Sequence, residues 1–132
     1  MSLVIRPPEY RIMWQHVNSG RGEEVCGLLG GVGEEVTRVI PVENVLHSPF
    51  RYRMEPRAQV QAMRAIEDER LSLVGIYHSH PEGPRGLSIQ DREEAAYSEA
   101  AYLVWSPAGD DWECRAYRLE GEAVREIPVI QS

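Results

Sequence analysis

The sequence predicts a single α/β (α+β) domain built on a mixed β-sheet flanked by helices. Three observations predict it. Short apolar runs rich in strand formers are intermixed with helical patterns. Most neighbouring strand candidates are joined by short glycine turns, which favours hairpins over a purely parallel sheet. The chain has 132 residues, 42% of them apolar, enough for one ordinary core. The domain is expected to span residues 1–132.

The elements follow in order. Pro7 and Pro8 precede a helix over Glu9 to Asn18, with Tyr10, Ile12, Met13, Trp14 and Val17 as its apolar residues. Asn18-Ser19-Gly20-Arg21-Gly22 ends it. Glu24 to Leu29 reads as a buried strand, Gly30-Gly31-Val32-Gly33 as a turn, and Glu35 to Val42 as the second strand of a hairpin. Phe50 to Met54 alternates apolar residues with Arg51 and Arg53, the pattern of a half-buried strand. Pro56 opens a helix to about Arg70, with Val60, Met63 and Ile66 facing inward. Leu71 to Tyr77 is a strand running directly into His78-Ser79-His80. Pro81 to Leu87 is a loop, Ser88 to about Ala100 a third helix, and Tyr102 to Trp105 a strand. Trp112 to Leu119 and Ala123 to Ile130 close the chain as a hairpin around Gly121.

The formal charge is −7. An acidic chain of this size is a poor nucleic-acid binder, because phosphate contacts need clustered Lys and Arg. Anionic membranes would repel it, and a basic peptide or the tail of another protein suits it better. The two cysteines, Cys26 and Cys114, cannot build a disulfide framework. Met1 to Ile5 is too short for the apolar region of a signal peptide, and no apolar run approaches a membrane span. A cytoplasmic protein with reduced thiols is expected.

The informative segment is His78-Ser79-His80-Pro81, followed by Ser88 and Asp91. On a strand, residues two apart share a face, so His78 and His80 project together while Ser79 points away. Two imidazoles so placed chelate one ion. A catalytic zinc takes three protein ligands and leaves a fourth position open. Asp91 is the natural third ligand, because the loop lets the chain return and put it in a helix's first turn. Taken separately, the pieces have plainer meanings. Ser88 to Asp91 is also a capping-box pattern, and His-x-His is often a solvated pair. Their coincidence after an apolar strand favours the metal.

The metal-activated water needs a base. Glu82 is near in sequence but lies in a loop, while Glu23 and Glu24 border an apolar strand. The residues alone do not choose among the three.

At this point the sequence resembles a known family. His78-Ser79-His80 with Ser88 and Asp91 matches the H-[ST]-H-x7-S-x2-D signature of the JAMM/MPN+ metalloproteases. The run Glu24-Val25-Cys26-Gly27-Leu28-Leu29-Gly30-Gly31 is similar to their E-x-x-G-L-x-x-G element. Asn44, Tyr52, Met54 and Pro56 resemble the stretch before the family's central helix. The resemblance implies a curved mixed sheet of the cytidine-deaminase-like kind. It implies one Zn2+ per chain on His78, His80 and Asp91, Glu24 as general acid/base, and Ser88 stabilising the oxyanion. Ser79 would support the ligands from behind. The implied activity is hydrolysis of amide or isopeptide bonds after the C-terminal Gly-Gly of a ubiquitin-like or sulfur-carrier protein.

One residue departs from the pattern: Leu87 stands where many relatives have proline, so the 81–87 loop is expected to be more mobile. No long insertion of the kind that grips linked ubiquitin chains is present, which argues against polyubiquitin as substrate. Three other functions compete. A non-catalytic MPN-type scaffold would have lost ligand residues, and this chain keeps them. A zinc deaminase would need P-C-x-x-C downstream of His80-Pro81-Glu82, and only Cys114 follows. A DNA-repair relative is disfavoured by the acidic balance. Of the remaining residues, Cys26, Cys114, Trp14, Trp105 and Trp112 are read as packing, and His16 as an ordinary helix residue. His47 has no support for a role. Arg51 and Arg53 form a solvated strand face that could border a substrate groove.

Overall fold

The computed structural model describes residues 1–132. The elements run β1 (Leu3–Ile5), α1 (Pro7–Asn18), β2 (Cys26–Val32), β3 (Glu35–Val42), α2 (Pro56–Asp68), β4 (Ser72–Ser79), α3 (Ile89–Glu94), β5 (Ala101–Ala108), β6 (Asp111–Glu120), β7 (Ala123–Ile127) and β8 (Val129–Gln131). All eight strands share one sheet in the order β7-β6-β5-β4-β2-β3-β1-β8. The pairs β4–β5, β1–β3 and β1–β8 are parallel and the others antiparallel. The mixed sheet is as expected. The two end strands, β7 and β8, are joined through Pro128 alone, so the sheet curls until its ends nearly meet.

Strand alternation gives the sheet two apolar faces. One packs under α1, through Leu3, Ile5, Met13, Val17, Leu29, Tyr77, Leu103 and Trp105. The other packs under α2, through Cys26, Leu28, Val42, Met54, Ala62, Ile66, Ile76 and Tyr102. The phase of β4 is set by a bulge. Leu29 pairs with Gly75 and Gly30 with Leu73, leaving Val74 as the extra residue. A one-residue slip turns every later side chain to the opposite face. Beyond the bulge, Tyr77 enters the α1 core while Ile76 enters the α2 core, and His78 shares the face of Ile76.

Several expected elements are corrected. The third helix stops at Glu94, not Ala100, and Ala95 is already extended at ψ 124°. The chain must turn there to enter β5, and it does so with Tyr97 N donating to the Tyr102 hydroxyl at 2.9 Å and Ala100 N to Tyr97 O at 3.1 Å. This packing overrides the helix propensity of the Glu-Glu-Ala-Ala run. Phe50 to Met54 is no strand: only Met54 makes a bridge, with Asn44. Gly30 and Gly31 belong to β2, and the turn is Gly33-Glu34, where Gly33 takes φ +61°. On α2, Ile66 faces inward and Met63 packs partly buried against the same core, as expected, but Ala62 takes the third inner place and Val60 is half exposed. The last expected strand divides at Pro128 into β7, paired with β6, and β8, paired with β1. The strand β1 was too short to stand out in the sequence, although Leu3 and Ile5 are fully buried.

Gly31 sits where a Cβ would collide with the backbone carbonyl of Glu35. Backbone cannot rotate away as a side chain can. Gly31→Ala is therefore expected to lower stability by about 1–3 kcal/mol, read as a lower urea midpoint with an unchanged slope.

Candidate metal centre and active site

Strand pairing builds the site before any side chain is considered. In the antiparallel β2–β4 register, Cys26 faces His78. Two residues before Cys26 and two after His78, Glu24 stands across from His80 on the same face. The ends are tied by Ser79 N to Val25 O at 3.0 Å and by Val25 N to Ser79 Oγ at 2.9 Å. Thus Ser79 points away from its neighbours, as expected, and locks the strand behind them. His80 N reaches Trp105 O at 2.7 Å, extending the parallel β4–β5 ladder to the second histidine.

The 81–87 loop returns the chain to Ser88, which caps α3. Ser88 Oγ accepts from Asp91 N at 3.0 Å, and Asp91 Oδ2 accepts from Ser88 N at 3.0 Å. The capping box is therefore real, and it also serves to aim Asp91. The same Oδ2 lies 3.1 Å from His78 Nε2 and 3.0 Å from His80 Nε2, and the two nitrogens are 3.0 Å apart. Glu24 joins from the other side: its carboxylate and the two imidazoles offer ligand atoms all within 4.8 Å of one another. Glu24, His78 and His80 are all buried.

This cluster has the chemistry of a cation site. His80 Nδ1 lies 2.8 Å from Pro84 O, a carbonyl that can only accept. Nδ1 must carry the hydrogen, so Nε2 presents a bare lone pair when the ring is neutral. That lone pair and the Asp91 carboxylate converge on His78 Nε2, while Glu24 Oε1 has no hydrogen-bond partner. Buried acceptors crowded together without enough donors are costly, and a metal ion would satisfy them together.

The electrostatics agree. Burial lowers the His78 pKa, which favours the neutral imidazole. For His80, burial pulls down, but hydrogen bonds to Asp91 and the Pro84 carbonyl prevail and raise it. Asp91 is pushed up by burial, but hydrogen bonds from His78 and His80 outweigh this and hold it well below the usual carboxylate range. Glu24 is raised to about 8, chiefly by burial, with the charge of His80 opposing and Asp91 and Glu94 adding.

The structure separates the three carboxylates that the sequence left open. Glu82 is exposed in its loop. Glu23 is drawn aside to His47, 3.0 Å away, in a surface pair. Only Glu24 faces the histidines. Two features of the site lay beyond sequence reasoning. One is the Pro84 carbonyl on His80, because a backbone contact leaves no side-chain signature. The other is the role of Asn44, a residue the family resemblance marked without assigning a function, whose amide uses all four of its hydrogen-bonding positions. Its Nδ2 donates to Glu24 O and Arg51 O, each at 3.0 Å. Its Oδ1 accepts from Leu46 N at 3.1 Å and Arg53 N at 3.0 Å.

Beside Asp91 a cavity of about 190 Å3 is lined by Phe50, Tyr52, Met54, Tyr97 and Tyr102, with Arg51 and Arg53 also bordering it. Arg51 pairs with Glu94 at 3.5 Å across it. The 81–87 loop is held by the His80–Pro84 contact, by Arg85 to Glu113 at 2.9 Å, and by Leu87 packed on the α2 core. Cys26 is buried and its thiol is pushed up to about 12, mainly by burial, which suits packing and not nucleophilic attack. Cys114 packs against the α1 core. His16 is bonded to the Tyr77 hydroxyl at 2.7 Å on that side of the sheet.

A curled mixed sheet with helices on both faces, presenting a His-x-His pair from a strand end to carboxylates on a neighbouring strand and a returning helix, defines a JAB-type domain with a candidate metal site. The comparisons agree. Residues 7–120 match the family of prokaryotic homologs of the JAB domain, and the chain belongs to that family. It is 38% identical over 109 residues to the desampylase of Haloferax volcanii, covering 80% of this chain and 76% of the relative. It is 35% identical over 130 residues to the CysO-cysteine peptidase of Mycobacterium tuberculosis, covering 96% and 89%. Among solved structures, a protein from Desulfitobacterium hafniense superposes with a TM-score of 0.87 at 28% identity, covering 98% of this chain and 92% of that one. No helix is long and apolar enough to cross a membrane.

A buried carboxyl raised from 4.5 to about 8 opposes folding at higher pH. The unfolded chain releases the proton first, so stability falls from about pH 4.5 to about pH 8. In chelator-treated protein, Glu24→Gln removes that loss. The variant is expected to match the wild type near pH 4 and exceed it by ~1–3 kcal/mol at pH 8, measured by urea denaturation at both pH values.

Proposed function

We propose that this chain is a zinc-dependent metallopeptidase. It hydrolyses the amide or isopeptide bond after the C-terminal Gly-Gly of a ubiquitin-like or sulfur-carrier protein. The single observation that carries the reading is the convergence of His78 Nε2, His80 Nε2 and Asp91 Oδ2 at 3.0–3.1 Å from one another. Tetrahedral zinc with bonds of about 2.0–2.1 Å would space its ligand atoms about 3.3–3.4 Å apart, a few tenths of an ångström wider. The donor set of two imidazoles and one carboxylate, without thiolate, suits a catalytic zinc rather than a structural one. The names of the two relatives supply the substrate class.

When bound, zinc polarises the scissile carbonyl and acidifies water. The chain's own residues do the rest. His78 and His80 offer lone pairs, and Asp91 stays ionised to balance charge. Glu24, buried and poised near neutral pH, takes the proton from the attacking water and passes it to the leaving amine. Ser88 Oγ receives Asp91 N through a lone pair, which leaves its hydrogen free to donate to the oxyanion of the tetrahedral species.

The test uses a Gly-Gly-tailed ubiquitin-like protein fused to a reporter. Wild type is expected to hold one zinc and cleave, and to lose cleavage in chelator until zinc is restored. Glu24→Gln is expected to keep its zinc and lose ~10²–10⁴-fold in kcat/KM. Equal turnover in the two proteins would remove Glu24 from its role. Absence of stoichiometric zinc in the wild type would leave the scaffold reading instead.

A further inference from the structure

The two histidines of the cluster are held differently. His80 is oriented by a hydrogen bond, Nδ1 to Pro84 O at 2.8 Å. His78 is fully buried, and its Nδ1 has no partner at all. Metal-binding histidines almost always anchor the second ring nitrogen, and that anchor sets the plane of the ring. His78 lacks it.

An aromatic ring lies over the face of the imidazole instead. Tyr52 stacks on His78 with centroids 4.7 Å apart and planes at 28°, an offset-parallel geometry that favours one ring orientation over others. Tyr52 is itself fixed, although its segment is no strand. Arg51 O and Arg53 N, on either side of it, are both bonded to the Asn44 amide at 3.0 Å. The same amide holds Glu24 O at 3.0 Å. The strap carrying Tyr52 is thereby tied to the backbone that carries Glu24.

We propose that Tyr52 is a positioning residue whose ring sets the plane of His78, the one imidazole of the cluster that no second hydrogen bond orients. Asn44 keeps that ring in register with the β2 end. The inference rests on His78 being a metal ligand, so its test reads the metal and not turnover. The phenol oxygen is not needed: the face of the ring is.

Zinc affinity is measured by competition with a chromogenic chelator, and the visible spectrum of the cobalt-loaded protein reports ligand geometry. Tyr52→Phe keeps the ring and is expected to stay within about threefold of wild type, with the same spectrum. Tyr52→Leu and Tyr52→Met keep apolar bulk without a ring. They are expected to bind zinc ~10–100-fold more weakly and to change the cobalt bands while circular dichroism stays native. Two ring-free variants are used so that one folded protein suffices. Wild-type affinity and spectrum in either folded ring-free variant would overturn the proposal. So would a loss in Tyr52→Phe equal to that in Tyr52→Leu, which would assign the effect to the hydroxyl. A wild type that binds no stoichiometric zinc or cobalt would overturn the metal reading itself, a separable result.

Discussion

The pairing of β2 against β4 is the constraint on which the site depends. With Cys26 opposite His78, alternation alone brings Glu24 and His80 to the same face and end of the sheet. The extra residue Val74 decides which face that is. A regular strand carrying the same residues would turn His78 toward the α1 core, where Leu3, Met13 and Trp105 pack, and a polar cluster there would meet neither α3 nor the cavity. A backbone irregularity four residues upstream thus controls the chemistry of the strand's end, as bulges beside functional sites commonly do.

Holding several buried acceptors close together is unfavourable, and the surrounding structure offsets it with fully used polar anchors. Ser79 ties the two strand ends. Pro84 orients His80 from a loop that is itself fixed by Arg85 and Leu87. The reciprocal Ser88–Asp91 bonds turn an ordinary helix start into an aiming device for a carboxylate. Each anchor uses backbone or a short side chain, which loses little conformational entropy on ordering. Such preorganisation lets a cluster stay in place before any ligand arrives.

Much of this was legible in the sequence, and the exceptions have physical causes. His78, His80, Ser88 and Asp91 were readable because strand periodicity and the capping pattern are local. Choosing Glu24 over Glu23 and Glu82 needed either the family resemblance or the β2–β4 register, since pairing partners are remote in sequence. The third helix was overextended because Glu and Ala favour helix locally while the path into β5 forbids it. The 50–54 segment alternates like a strand, yet an Asn44 side chain occupies the hydrogen-bonding positions a neighbouring strand would have taken. β1 has only three residues, and its burial follows from two parallel neighbours that no local pattern announces.

The division of the interior by the sheet has an optical consequence. Trp105 is in the α1 core, and Trp14 and Trp112 pack against it, while the half that carries the cluster holds Tyr52, Tyr97 and Tyr102. Indole emission therefore reports chiefly on the α1 side of the sheet. A tryptophan signal follows packing on the α1 side, whereas events around the imidazoles are better watched with a probe placed on the half that carries Tyr52, Tyr97 and Tyr102.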